Sequence, residues 1–114
     1  MKTSHDPRHL HRISQVKMLY TYSFSGVVTA EIEAIVAQVT QLDGQIKAFA
    51  TEWSIADMNK IDLAILRLGV FELLQKENKP AIIIDEAIEI AKEFGSDHSS
   101  KFVNAVLSKI AGAL

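Results

Sequence analysis

Asn59-Lys60-Ile61-Asp62-Leu63-Ala64-Ile65-Leu66-Arg67-Leu68-Gly69-Val70-Phe71-Glu72-Leu73 is the stretch on which the fold turns. Apolar residues recur in it every three or four positions. Ile61, Ala64, Ile65, Leu68 and Phe71 therefore share one face of a helix running from Lys60 to about Lys76. Asn59 supplies a start signal, because its side-chain oxygen can accept the first free backbone N–H groups. Arg67 interrupts the apolar run from Ala64 to Leu68. It either anchors a helix end through stray carbonyls or serves a function.

Working outward, Ile32, Ile35, Val36, Val39, Leu42, Ile46, Phe49 and Trp53 keep the helical period across about six turns. That pattern predicts one long helix capped by Thr29, with Glu31 and Glu33 at the positive end of its dipole. Gly44 inside it costs about 1 kcal/mol relative to alanine. Asp6-Pro7 starts an earlier helix, with an N-cap acid and a proline at the first helical position; the helix fades around Ser23-Phe24-Ser25-Gly26. Its stripe is Leu10, Ile13, Val16, Leu19 and Tyr20, which leaves Arg8, Arg12 and Lys17 to cluster away from that stripe.

Ser54 to Met58 reads as a short helical turn, and Lys76 to Pro80 as a polar loop. Ile82-Ile83-Ile84 has no second strand to pair with. It reads as the entry to a helix reaching Phe94, with Ile84, Ala87, Ile88 and Ala91 inward and Gly95 as C-cap. Ser96 or Asp97 starts a last helix packed through Phe102, Val103, Val106, Leu107 and Ile110. Asn104, inside that run, would need its amide hydrogen bonds met if buried. The expectation is an all-α protein: a compact orthogonal bundle of about five to six helices forming a single domain over residues 1–114.

Composition narrows the chemistry. The 114 residues are 48% hydrophobic, enough for one continuous core. They include no cysteine, which excludes disulfides and thiolate metal sites and points to a reducing cytosol. No apolar run approaches the roughly 18–20 residues of a membrane span, and the N-terminus lacks the apolar core of a signal peptide. A cytoplasmic location is expected. Net charge is −2, but residues 1–20 carry +3 (Lys2, Arg8, Arg12 and Lys17 against Asp6). A basic end on an acidic body suits either a nucleic-acid contact or a solvated helix face.

The chain lacks GxxxxGK[ST], GxGxxG, GxSxG and HExxH. His5, His9 and His11 lie beside Pro7 at a chain end, which denies them the preorganisation a metal site needs. Glu86 and Glu89, one turn apart, are better explained as complements of a helix dipole facing water. Capping explains Asp97-His98-Ser99-Ser100. No catalytic residue, metal or cofactor is expected.

Three blocks carry a resemblance: Ile61 to Leu73, Asp85-Glu86-Ala87-Ile88-Glu89-Ile90-Ala91-Lys92-Glu93-Phe94-Gly95, and Ser99-Ser100-Lys101-Phe102-Val103-Asn104-Ala105-Val106-Leu107. In order and spacing they resemble the signature of the NusB transcription antitermination family. Together they cover most of residues 59–111. Arg8, Arg12, Val16, Leu19 and Tyr20 match the family's arginine-rich start and Leu-Tyr pair more weakly.

The resemblance implies a helical fold of two small subdomains, about 1–53 and 54–114 here, without catalytic activity. It also implies single-stranded boxA-type RNA of nascent ribosomal transcripts as ligand, and the ribosomal protein NusE as partner. The RNA polymerase elongation complex would be engaged indirectly. Carried over to this chain, it points Arg8, Arg12, Tyr20, Lys101 and Phe102 at the RNA. Arg and Lys neutralise phosphate, and Tyr or Phe stack on splayed bases. Tyr20 and Phe102 fit a packed core equally well. Asp62 and the loop after Lys76 are where the protein partner is expected.

The chain also departs from the family pattern. The segment between Tyr22 and Ala30 is shorter than in typical members, as though one N-terminal helix were missing. His9-Leu10-His11 replace an arginine-richer run, Lys17 replaces a glutamine and Asp85 an asparagine. His98 occupies a position that is often acidic. A protein-interaction module or homodimer with reduced RNA binding is the alternative these departures leave open. The same fold precedes RNA cytosine methyltransferase domains, but 114 residues leave no room for a cofactor domain.

Overall fold

The structure, a computed structural model, describes residues 6–114. Lys2 and His5, part of the basic segment read above, lie outside the described residues. The elements are α1 (Pro7–Ser25), a 3₁₀ turn (Ala30–Ile32), α2 (Glu33–Val36), α3 (Val39–Phe49), α4 (Lys60–Gln75), α5 (Pro80–Phe94) and α6 (Ser99–Ala113), with no strand among the described residues.

Helix α4 lies at the centre and packs against α1, α2, α3, α5 and α6. Its sequence suggests one buried face, but every residue from Asp62 to Val70 is buried. A helix enclosed on all sides must be apolar nearly all round, and the leucines, isoleucines and alanines of this run meet that condition. Each fully buried leucine or isoleucine here is worth about 1.5–3 kcal/mol. Gly69 sets the approach of α6, since a Cβ at that position would stand 2.8 Å from Leu107 Cδ1.

Several start and stop signals act as the sequence suggests, but Thr29 turns its hydroxyl to Met18 Sδ instead of capping, and α6 starts at Ser99, later than the expected Ser96 or Asp97. Asp6 Oδ1 accepts the Arg8 backbone N–H at 2.8 Å, and Asn59 Oδ1 accepts those of Ile61 and Asp62 at 2.9 and 3.2 Å. Gly26, with φ 72°, ends α1 in the left-handed conformation. The polar loop closes α4 through Lys76, also left-handed, and α5 begins at Pro80 as expected.

Four expectations are corrected. The long helix from Thr29 to Trp53 is broken at Ala37–Gln38, where the Gln38 N–H donates to the Ile35 carbonyl at 3.0 Å. The 3₁₀ turn packs on α1 and α2 on α4, whereas α3 packs on α4 and α6. The two pieces keep the apolar period but serve different neighbours, so the axis must turn. Trp53, beyond the end of α3, is 52% exposed. In α1, Leu10 and Tyr20 are exposed, while His9 and Arg12 join Val16 and Leu19 in the interior. In α5 the buried set is Ile83, Glu86, Ala87, Ile90 and Ala91, rotated from the expected face because Glu86 is drawn inward. Asn104 is exposed and accepts a hydrogen bond from Ser108 Oγ at 3.0 Å.

Arg67 finds neither stray carbonyls nor solvent. Its Nε and Nη2 donate to Asp43 Oδ1 and Oδ2 at 2.9 and 2.8 Å, a bidentate pair tying α4 to α3. The guanidinium carbon also stands 5.8 Å from the Tyr22 ring centroid, near the end of α1. Truncating the carboxylate strands a buried charge, so Asp43→Ala should cost about 2–3 kcal/mol in urea unfolding. The Asp43→Leu/Arg67→Met double variant should regain most of that loss. Unchanged stability of the single variant would show that the pair contributes nothing.

Candidate nucleic-acid interface

The first four turns of α1 are fixed by charge as much as by apolar packing. Arg12 donates through Nε to Glu72 Oε2 at 2.9 Å and through Nη2 to Glu72 Oε1 at 2.8 Å. Its Nη1 donates to Glu86 Oε1 at 3.0 Å. Glu86 Oε2 also lies 3.1 Å from His9 Nδ1. Arg12 is 9% exposed, and His9 and Glu86 are buried with it. The Glu72 carboxylate, above all, holds the guanidinium even more firmly protonated than usual, with Glu86 adding to it against the cost of burial. One arginine thereby joins α1 to α4 and α5.

A second contact fixes the direction of α1. Lys17 Nζ stands 5.4 Å from the centre of the Phe94 ring. Arg12 reaches Glu86 and Lys17 reaches Phe94, so α1 and α5 run the same way, linked through these long side chains while α1 packs on α4. The last turns of α1 border a pocket with Ile55, Ala56 and Lys60 through Tyr22, Ser23 and Gly26.

The residues singled out for RNA contact separate accordingly. Arg8 is exposed, its Nη2 only 3.5 Å from Asp6 Oδ2, and its backbone N–H holds the Asp6 carboxyl below its ordinary range. Tyr20 is 41% exposed and meets the 65% exposed Phe24 edge-on, ring centroids 5.0 Å apart. Lys101 is exposed on the first turn of α6, and Phe102 beside it is half-buried. Arg12 differs from all of these, because its donors are spent on Glu72 and Glu86. Of the histidines read as a basic group, His9 is committed to Glu86 and His11 is exposed.

Sequence reasoning missed Glu72 and Glu86 as partners of Arg12. The signal was present: His9, Arg12, Val16 and Leu19 share one helical phase, as do Ile83, Glu86 and Ile90. Treating charged residues as surface by default hid it.

Asp62, expected as an exposed partner contact, is buried at 7% exposure, and its Oδ1 has no hydrogen-bond partner. It borders a pocket shared with Trp53, Met58, His98 and Phe102. Burial raises its pKa above the ordinary carboxylate range, and a hydrogen bond from Ser99 opposes that shift.

A helical domain that exposes basic and aromatic side chains on α1 and at the start of α6 is the class of molecule these features define. The NusB family model matches residues 10–112, and the chain belongs to the NusB family. It is 43% identical over 84 residues to the transcription antitermination protein NusB of Geobacter sp. (strain M21), a match covering 73% of this chain and 58% of that protein. With the NusB of Treponema denticola the identity is 49% over 76 residues, covering 66% of this chain and 56% of the relative. The chain thus spans little more than half the length of the curated relatives it matches. A solved structure of T. maritima NusB superimposes with a TM-score of 0.80 at 30% identity, covering 98% of this chain and 93% of that one. A second, titled as the crystal structure of a plectonemic RNA supercoil, gives 0.82 at 24% identity over 93% and 94% of the two chains, a likeness of fold alone.

Asp62 generates a pH prediction. The folded chain keeps its proton to higher pH than the unfolded chain, whose ordinary value is 3.8. Stability should therefore fall as pH rises from that value through the raised one. Asp62→Asn should increase Tm at pH 7, and the advantage should vanish below about pH 4. Thermal melts across pH decide it; a Tm difference that does not change with pH would refute the reading.

Proposed function

We propose that the protein is an RNA-binding transcription antitermination factor, without catalytic activity, acting in the cytoplasm. It recognises boxA-type single-stranded RNA of nascent ribosomal transcripts together with NusE, and through them reaches the elongating RNA polymerase. The observation carrying this reading is the exposed edge of α1, where Arg8, Tyr20 and Phe24 remain in solvent although α1 is locked into the core by Arg12. Arg8 and Lys101 neutralise phosphate, while Tyr20 and the half-buried Phe102 stack on bases. Arg12 contributes by holding α1 in place. Family membership over residues 10–112 supports the assignment. A division into subdomains at about residue 53 belongs to the same proposal, with the non-helical stretch between Phe49 and Lys60 as the join.

A second reading rests on a specific observation: Phe24 in the last turn of α1 and Val27 and Val28 just after it are all exposed. Such exposed apolar side chains suit a protein-interaction module or homodimer with reduced RNA binding. Sedimentation at several concentrations would reveal self-association.

The test is fluorescence anisotropy with labelled boxA-type RNA and a scrambled control, each with and without NusE. Preference for boxA, strengthened by NusE, is the expected result. The plot of log affinity against log salt should have a slope no steeper than about −4. Arg8→Ala and Lys101→Ala should each reduce that slope by about 1, whereas Arg12→Met should lower stability instead. Equal, weak binding to both RNAs that NusE does not change would reject the antitermination reading in favour of the interaction module.

A further inference from the structure

Between the last turns of α1, the loop after α3 and the first turns of α4 lies a pocket of about 320 Å³, bordered by Tyr22, Ser23, Ile55, Lys60, Leu63 and Arg67. Its charge is one-sided: Lys60 and Arg67 stand in its wall, and no carboxylate does. The half-buried Lys60 donates its Nζ to the neutral Ala56 carbonyl at 3.0 Å and pairs with no acid among the described residues. Asp57, three residues earlier, accepts from Ser54 Oγ at 2.9 Å instead. Arg67 is more than nine-tenths buried and spends Nε and Nη2 on Asp43, which does not line the pocket. Its Nη1 reaches only the Ser23 hydroxyl, at 3.4 Å the longest of its bonds, and that hydroxyl already donates to the Leu19 carbonyl. Both cations therefore keep N–H groups that an acceptor in the pocket would use.

We propose that this pocket receives a glutamate side chain from a protein partner, its carboxylate set between Lys60 and Arg67 and its methylenes on Ile55 and Leu63. The charge decides the ligand class. Asp43 offsets Arg67, so one uncompensated positive charge remains, which a single carboxylate neutralises. A phosphate brings more charge and more bound water than one ammonium offsets. The carbonyl end of α1 opposes an anion, while the N-terminal end of α4, where Lys60 is the first residue, favours one. The surroundings decide the source. Beyond Gly26 the chain exposes Val27 and Val28, an apolar rim that a protein covers and a free acid does not. Tyr22 lies about 200° round α1 from Tyr20. The pocket is thus on the flank away from the proposed RNA contact, and the inference stands whether or not that contact forms.

Backbone amide NMR spectra of the full chain read the pocket through Gly26, Ile55, Ala56 and Lys60. Titration with acetyl-Val-Glu-Val-amide should shift these amides saturably, with a Kd on the order of 1 mM. The same peptide with glutamine should bind at least about tenfold more weakly, as should the glutamate peptide to Lys60→Gln, whereas Lys60→Arg should retain binding. If the Lys60 variants fail to fold, the glutamate–glutamine contrast on the unmodified chain decides alone. No saturable shift, an equal shift with the glutamine peptide, or undiminished binding by Lys60→Gln overturns the proposal. So does uridine monophosphate binding more tightly than the peptide at the same amides, which would make the pocket a phosphate site. Movement of these amides on diluting the protein alone also overturns it, because a second copy of the chain would then be the occupant.

Discussion

Enclosing α4 on every side takes water away from its charged side chains as well as its aliphatic ones, and the rest of the structure is arranged around that constraint. Nine consecutive residues from Asp62 to Val70 are buried, and two of them are ionisable. Arg67 is paired with both oxygens of Asp43 and reaches the Ser23 hydroxyl with its third nitrogen. Glu72, two residues past the buried run, accepts from Arg12, which also reaches Glu86. Asp62 is matched only in part, by Ser99, with one oxygen left over. Leaving a buried polar atom unpaired costs more than pairing it gains. Asp62 is therefore the least stable element of an otherwise satisfied interior.

The two arginine clamps do different work. Arg67 closes the N-terminal half onto α4, through α3 and beside the end of α1. Arg12 closes the opposite end of α1 onto α4 and α5. Helix α1 packs on α4 through Ile13, Val16, Met18, Leu19 and Tyr22, and these charge contacts add direction to that packing. Buried ion pairs are weak sources of net stability but strong selectors of geometry once their partners are in place. That geometry leaves Tyr20 and Phe24 in solvent.

Helix existence was legible in the sequence wherever a cap and a period agreed, as at Asp6-Pro7 and at Asn59 with the run after it. What the period could not show was a break that preserves it. Ile32 and Ile35 bury against one set of helices, Leu42 and Ile46 against another, and the apolar spacing passes through Ala37–Gln38 unchanged. Family resemblance likewise marked α1 and the start of α6 as the candidate edge but could not separate contact from support. Arg8 and Arg12 lie one turn apart in sequence, yet one is solvated and the other is enclosed by two glutamates. The difference lies in residues sixty or more positions away, beyond the reach of any local pattern.

Arg12 also alters what the charge count means. The basic N-terminal segment suggests a surface rich in phosphate contacts, but one of its arginines is spent in the interior and Lys17 lies over Phe94. The exposed surface of α1 is consequently more aromatic than basic, with Tyr20 and Phe24 towards its end and Arg8, paired only with Asp6, at its start. For the proposed RNA contact, such a surface would draw a larger share of its affinity from stacking than from counterion release, because every base offers a π-face while few fixed charges remain. In the RNA contact proposed above, selectivity would come from how bases are splayed and presented, a task for which a rigidly clamped α1 is better suited than a flexible basic tail.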